Sequence, residues 1–195
     1  MKRFLSIILS LLFITGFVFA EEEGDEYDDG YVYEVNGEGD QFIKINLGSI
    51  IPLNFSSDGL NRLYSGGVME LGYYRFLNKW LAVGGEMSAS YNISVGEKIL
   101  VMIPFTFGIM YQPTYNDFEF PIFAEIGFSY ESWQNMDYFP SLAAKLEAGG
   151  FYRINEICSV GLNTSFMWIP QWFKDSQYNK NGLFMTASIG ARYHF

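Results

Sequence analysis

Three features of the sequence predict an all-β chain whose main part, residues 41–195, is an eight-stranded antiparallel up-and-down transmembrane β-barrel. Eight alternating segments follow one another from Gln41 onward, separated by turn-type residues. The charges in the middle of those segments keep to one parity. The final segment closes on an aromatic residue, Phe195. A period of two residues marks strands with unlike faces, and strands of about ten residues with one apolar face suit a bilayer-spanning barrel.

The residues ahead of the barrel read differently. Lys2 and Arg3 precede an apolar run from Phe4 to Phe19, and Val18 and Ala20 stand where a small-residue cleavage site places them. This predicts a signal peptide over 1–20. The run is short for a spanning helix, which needs about 20 apolar residues. No cysteine stands near Ala20, so a lipid anchor is not expected. The chain carries a net charge of −10, and residues 21–40 hold ten acids and no base, whereas residues 41–195 hold 12 acids against 10 bases. The acidity therefore belongs to a tail, expected to be disordered, and nucleic acid is not an expected partner. A single cysteine, Cys158, excludes an intramolecular disulfide.

The strands are expected at 41–51, 66–75, 80–91, 99–111, 120–132, 142–153, 157–169 and 182–195. The first puts Ile43, Ile45 and Leu47 on one face; the second adds Met69, Leu71 and Tyr73; the third Leu81, Val83, Met87 and Tyr91. The fourth contributes Val101 through Ile109 at alternate positions. The fifth and sixth give Ile122, Ile126, Phe128, Tyr130, Leu142, Leu146 and Tyr152. The last two give Val160, Leu162, Phe166, Trp168, Leu183, Met185, Ile189 and Tyr193. The opposite face holds Lys44, Glu70, Glu86, Glu125, Glu131, Lys145, Glu147 and Arg192, with Ser, Thr and Asn between them. Long connections at 48–65, 133–141 and 170–181 oppose tight ones at 76–79 and 153–156, the arrangement of outer-membrane barrels with short periplasmic turns. The connection at 112–119 is long for the short side.

Alternation alone leaves a soluble lipocalin-type barrel open, with its apolar face inward. Glycine favours the inverse. Each strand has one on the polar face: Gly48, Gly72, Gly84, Gly108, Gly127, Gly149, Gly161 and Gly190. A water-facing surface has no use for a recurrent glycine, whereas the crowded interior of an eight-stranded barrel does; bulges are the competing explanation. Aromatic residues near strand ends, among them Tyr73, Trp80, Tyr91, Tyr111, Tyr152, Trp168 and Tyr193, fit the boundary between membrane and water.

The last strand carries alternate Ile189, Ala191, Tyr193 and Phe195 and resembles the terminal strand read by the outer-membrane assembly machinery. The segments GDQFIKINLGSIIPLNF, GYYRFLNKWLAVGGEMSASYNISVGE, IPFTFGIMYQP and GLFMTASIGARYHF together resemble a spirochaetal outer-membrane β-barrel family grouped with the OmpW-like and OmpA-like small barrels. The resemblance implies a cell outer-membrane location. For OmpW-like barrels it implies passage of small hydrophobic molecules, and for similar barrels adhesion or envelope stability. The charged inner face departs from the OmpW pattern.

The only histidine, His194, falls at the expected periplasmic rim; no Ser/His/Asp set and no metal cluster is apparent, so neither an enzyme nor a cofactor is expected. Buried charges must be paired or wetted. Strand neighbours suggest Lys44 with Glu70, Lys145 with Glu131 or Glu125, and Arg192 toward the cluster of Glu70. A polar core is expected over a pore, because eight strands leave little lumen. Trp133, Tyr138, Phe139, Trp172, Phe173 and Tyr178 are open to two roles, a binding surface for an extracellular ligand or the lipid interface. Expected partners are outer-membrane lipid and the assembly machinery. Three functions stand open: a structural, adhesive or envelope-interaction barrel with a plugged polar lumen; a narrow channel or transporter of small hydrophobic molecules; and a soluble ligand-binding barrel. The tail is expected on the periplasmic side.

Overall fold

A computed structural model describes residues 36–54, 62–133, 136–171 and 180–195. The chain divides into Met1–Tyr33 and Glu34–Phe195, and every described residue belongs to the second unit. The expected leader, the acidic stretch up to residue 35, and Trp172, Phe173 and Tyr178 lie outside the described residues.

The eight alternating segments form strands: β1 (Gln41–Asn54), β2 (Gly66–Phe76), β3 (Leu81–Ile93), β4 (Ile99–Tyr111), β7 (Ile122–Trp133), β8 (Met136–Asn155), β9 (Cys158–Gln171) and β10 (Lys180–His194). A small hairpin, β5 (Thr114–Tyr115) and β6 (Phe118–Glu119), sits in the connection after β4. Each long strand pairs antiparallel with its neighbours in sequence, β8 pairs with β9, and β1 pairs with β10, so the sheet closes. Two backbone bonds between Gln41 and Phe195 (3.0 and 2.9 Å) extend the seam to the end of the chain. Closure satisfies the edge groups that hydrocarbon would leave unbonded.

The alternation settles which face is outside. Ile45, Leu71, Phe107, Leu146, Leu162 and Ile189 are exposed, the last two at 66% each, while Lys44, Glu70, Lys145, Glu147 and Arg192 on the other parity are buried. A lipocalin-type barrel would invert this pattern. An unbroken apolar outer wall is the surface of a barrel solvated by lipid.

The inner glycines let the strands coil tightly. At Gly127 a Cβ would lie 1.9 Å from the Phe105 carbonyl oxygen, and at Gly84 2.1 Å from that of Tyr73. The ladder shifts register at Pro52/Asn54, Ser129/Glu131 and Arg153/Asn155, away from these glycines, so bulges do not account for them.

Three expectations need correction. Strand β8 begins at Met136, not 142, and the expected long loop 133–141 is largely ladder, reaching the pair Trp133↔Met136. Its bulge opposes Tyr130 to Phe139 and Pro140, where proline lacks a ladder donor and breaks the alternation. Residues 36–40, expected within the disordered tail, are ordered: Gly39 N–H donates to the Phe76 carbonyl at 2.9 Å, and Asn36 is buried. The inward parity is also not polar throughout. Phe42, Tyr74, Phe76, Ala82, Met110 and Phe123 cluster inside at the end where the termini lie. Ile50, Leu63, Val68, Leu100, Met102, Ala143, Met167, Ile169 and Phe184 cluster at the other, with Trp133 packed against them. The charges lie between and beside these apolar groups.

Candidate functional site: the charged lumen

Strands β1, β2, β3 and β8 bring five of the expected charges together. Lys44 Nζ lies 2.6 Å from Glu86 and 2.6 Å from Glu147. Lys145 Nζ lies 3.0 Å from Glu70 and 2.7 Å from Glu147, and also contacts Glu86. Asn46 donates to the second oxygen of Glu70 at 2.7 Å. Gly72, opposite Lys44 in the ladder, leaves room for this layer: a Cβ there would lie 3.3 Å from Lys44 Cε and 2.9 Å from the Tyr74 ring. Oxygens of Glu70, Glu86 and Glu147 approach within 4.8 Å of one another. The two ammonium groups among them account for that approach, since each offers three donors and a charge.

The neighbour-based pairings do not hold. Lys44 pairs with Glu86 and Glu147, not Glu70; Lys145 pairs with Glu70, Glu86 and Glu147, not Glu131 or Glu125. Glu125 is the ladder partner of Lys145, yet it takes bonds from Tyr74 and from Thr106 (2.6 Å). Glu131 stands apart, bonded by Gln171. Long side chains inside a narrow tube reach across it more readily than along its wall.

Arg192 belongs to a separate layer nearer the termini. Its Nη1 donates to Gln112 at 2.7 Å and reaches Glu119 at 3.5 Å. Glu119 in turn receives Arg153 Nε at 2.7 Å. The sequence reading missed Glu119 and Arg153 as site residues because they fall at the strand limits. Parity would have placed both inside, Arg153 as the last residue of the expected strand 142–153 and Glu119 one step before the expected start at 120.

His194 is not at an open rim but buried beside these groups. Ser159 Oγ lies 2.7 Å from its Nε2, while Arg153 Nη2 lies 3.0 Å from its Nδ1. A serine–histidine pair becomes a nucleophile and base only when a third group steadies the imidazolium. Here a guanidinium stands in that place, and it opposes the positive charge that proton abstraction creates.

Of the loop aromatics, Trp133 packs on the inner apolar cluster. Phe139 is exposed and meets the outward Phe128 edge-on, a lipid-side position. On the strand ends, Tyr73, Tyr91, Tyr111, Tyr152, Trp168 and Tyr193 all face outward.

A protein-family model matches residues 23–193. A Treponema pallidum (strain Nichols) protein, described only as uncharacterized, is 25% identical over 177 residues, covering 84% of this chain and 80% of that protein. Among solved structures, Neisserial surface protein A superposes with a TM-score of 0.67 at 13% identity, over 81% of this chain and 100% of that one. The outer membrane protein OprG from Pseudomonas aeruginosa gives 0.57 at 15% identity, over 83% and 98%. At such identities the likeness is one of fold, that of small eight-stranded outer-membrane barrels.

Proposed function

We propose, for a chain that belongs to the family whose model matches residues 23–193, a structural, adhesive or envelope-interaction role in the cell outer membrane, with a lumen closed to solutes. The observation that carries this reading is the layering inside the barrel. Lys44 and Lys145 tie together carboxylates from three strands, and apolar side chains pack the lumen on both sides of that layer. A hydrated path needs neither feature. The guanidinium beside His194 speaks against an enzymatic use of the one serine–histidine pair.

An interaction role would fall to the connections opposite the termini, around 55–65, 94–98, 134–135 and 172–179, with an extracellular ligand of unassigned chemistry. The partners we propose besides are outer-membrane lipid along the apolar wall and the assembly machinery at Ile189, Ala191, Tyr193 and Phe195. With three connections on the terminal side of the barrel, the acidic tail would lie in the periplasm.

Planar-bilayer recording of the refolded chain tests the closed lumen. The expected result is membrane insertion without resolved conductance steps. Steady unitary conductance would reject the plug and favour a narrow channel. Uptake of a small hydrophobic solute by loaded vesicles without conductance would favour a transporter.

A further inference from the structure

Residues 36–40 lie ahead of β1 and carry no apolar side chain: Asn36, Gly37, Glu38, Gly39 and Asp40. They nonetheless hold a fixed path at the terminal end of the barrel. Gly39 N–H donates to the Phe76 carbonyl at 2.9 Å and Phe76 N–H to the Asp40 carbonyl at 2.8 Å, which carries the β1–β2 ladder past Gln41↔Arg75. Followed toward the N-terminus, the chain then reverses. Asp40 N–H donates to the Gly37 carbonyl at 3.3 Å, and Gly37 N–H donates to the Asp40 carboxylate at 2.6 Å. Gly39 takes the third place of that turn with φ 95°, a left-handed conformation open to glycine without steric cost.

The reversal brings Asn36 to the lumen. Its side chain is 1% exposed, whereas Glu38 and Asp40 are open to solvent. Its Oδ1 accepts from Arg153 Nη2 at 2.8 Å. Arg153 stands on β8, and β10 and β9 separate that strand from β1. A segment rooted on β1 is therefore fastened to a side chain from beyond its neighbouring strands. The same guanidinium meets Glu119 at 2.7 Å through Nε and His194 Nδ1 at 3.0 Å through Nη2. Asn36 thus joins the buried polar layer of Arg153, Glu119, Ser159, His194 and Arg192.

The hold on this segment differs in kind from that on the barrel. Each barrel strand is laddered on both sides. Residues 36–40 are held by two ladder bonds, their own turn and the bond of Asn36 to Arg153, and they bury no hydrophobic side chain. A net gain per hydrogen bond is small, so a part held by few of them opens alone while the ladders stay closed. The bond from the charged Arg153 is the strongest kind in the set. We propose that Asn36–Asp40 is a strap latched on Arg153, which shuts the polar layer at the terminal end of the lumen and opens as a unit while the barrel stays folded. Opening turns Arg153, Glu119 and His194 to water. The strap stands apart from the closed-lumen reading, which rests on the middle charge layer and its apolar flanks.

Native-state hydrogen exchange of the full chain in detergent micelles tests the strap. The amides of Gly39 and Phe76 should exchange together, ahead of the amides in the middle of β1 and without response to urea below the unfolding range. Asn36→Ala removes the acceptor for Arg153 and should speed both by at least about tenfold, the worth of one bond from a charged donor, with the middle of β1 unchanged. Asn36→Asp keeps an acceptor, sets a negative charge against the guanidinium and should slow both below wild type. Access to the layer is read by Ser159→Cys in a Cys158→Ser background: N-ethylmaleimide should react faster when Asn36→Ala is added and slower with Asn36→Asp. Exchange of the Arg153 and Arg192 Nε–H groups reads the same access if the reporter thiol does not fold. Phe76 exchanging only with the middle of β1 would overturn a strap that opens by itself. Amide rates indifferent to both Asn36 variants would overturn the latch, and thiol or Nε–H rates indifferent to them would overturn the closure. Conductance steps in a bilayer would reject the closed lumen and leave these rates as they stand, so the two readings fail separately.

Discussion

Lys145 shows how one side chain organises the lumen. It contacts Glu70, Glu86 and Glu147, and it is 4% exposed. Replacing it by leucine leaves Glu86 and Glu147 on Lys44 alone and takes the ammonium from Glu70, which keeps the Asn46 amide. Removing one partner of a buried charge pair costs about 3–5 kcal/mol, so Lys145→Leu should lower the folding midpoint in urea with lipid vesicles by that order. Leu146, its neighbour, is 62% exposed on the outer wall, and Leu146→Ile should cost under about 1.5 kcal/mol. Equal midpoints would place Lys145 in water or lipid. Glycines divide in the same way. A Cβ at Gly127 meets backbone at 1.9 Å, whereas one at Gly150 meets nothing within 4 Å. Gly127→Ala should therefore destabilise the barrel by at least about 1 kcal/mol, with Gly150→Ala near neutral; the same titration compares them, and a neutral Gly127→Ala would mean the β4–β7 ladder yields easily.

At the scale of the element, the seam between β1 and β10 is where the chain ends meet. Phe195 contributes two backbone bonds to Gln41 and an outward ring beside Tyr193, at 5.9 Å between centroids. Its ring is more than half exposed, so its loss removes little internal packing. Deleting Phe195 should reduce the amount of barrel recovered in outer-membrane fractions while shifting the in vitro urea midpoint by only about 1–2 kcal/mol, the worth of two hydrogen bonds. Full recovery in the membrane would deny the residue a part in assembly. Elements also show where alternation stops reporting. The first rungs of β8 run through Pro140 and a bulge at Tyr130, so a ladder continued where the side-chain pattern had broken. In the same way β5 and β6 are two-residue strands, too short for any period to reveal.

For the whole molecule, the position of the termini carries a topological prediction. Three connections, at 77–80, 112–121 and 156–157, share the terminal end of the barrel. A protease-cleavable tag at residue 30 should resist digestion in intact cells and be cut after the outer membrane is permeabilised. Surface cleavage would reverse the orientation.

The residues of the chain by themselves determined the count and order of the eight barrel strands, the outward face and eight of the charges inside, though not Glu119 and Arg153. Those properties follow from local rules: a period of two, and the cost of a charge in hydrocarbon. Only the closed tertiary structure decided which charges meet. Lys44 and Glu86 lie on strands that do not pair, and Asn36 reaches Arg153 across 117 positions. Such partners are selected by the width of the tube and the reach of each side chain, and those exist only once β1 has met β10. The apolar packing at the two ends of the lumen also waited on closure. Phe42, Tyr74 and Phe123 share the parity of the charges, and it is their height along the barrel that separates plug from charge layer.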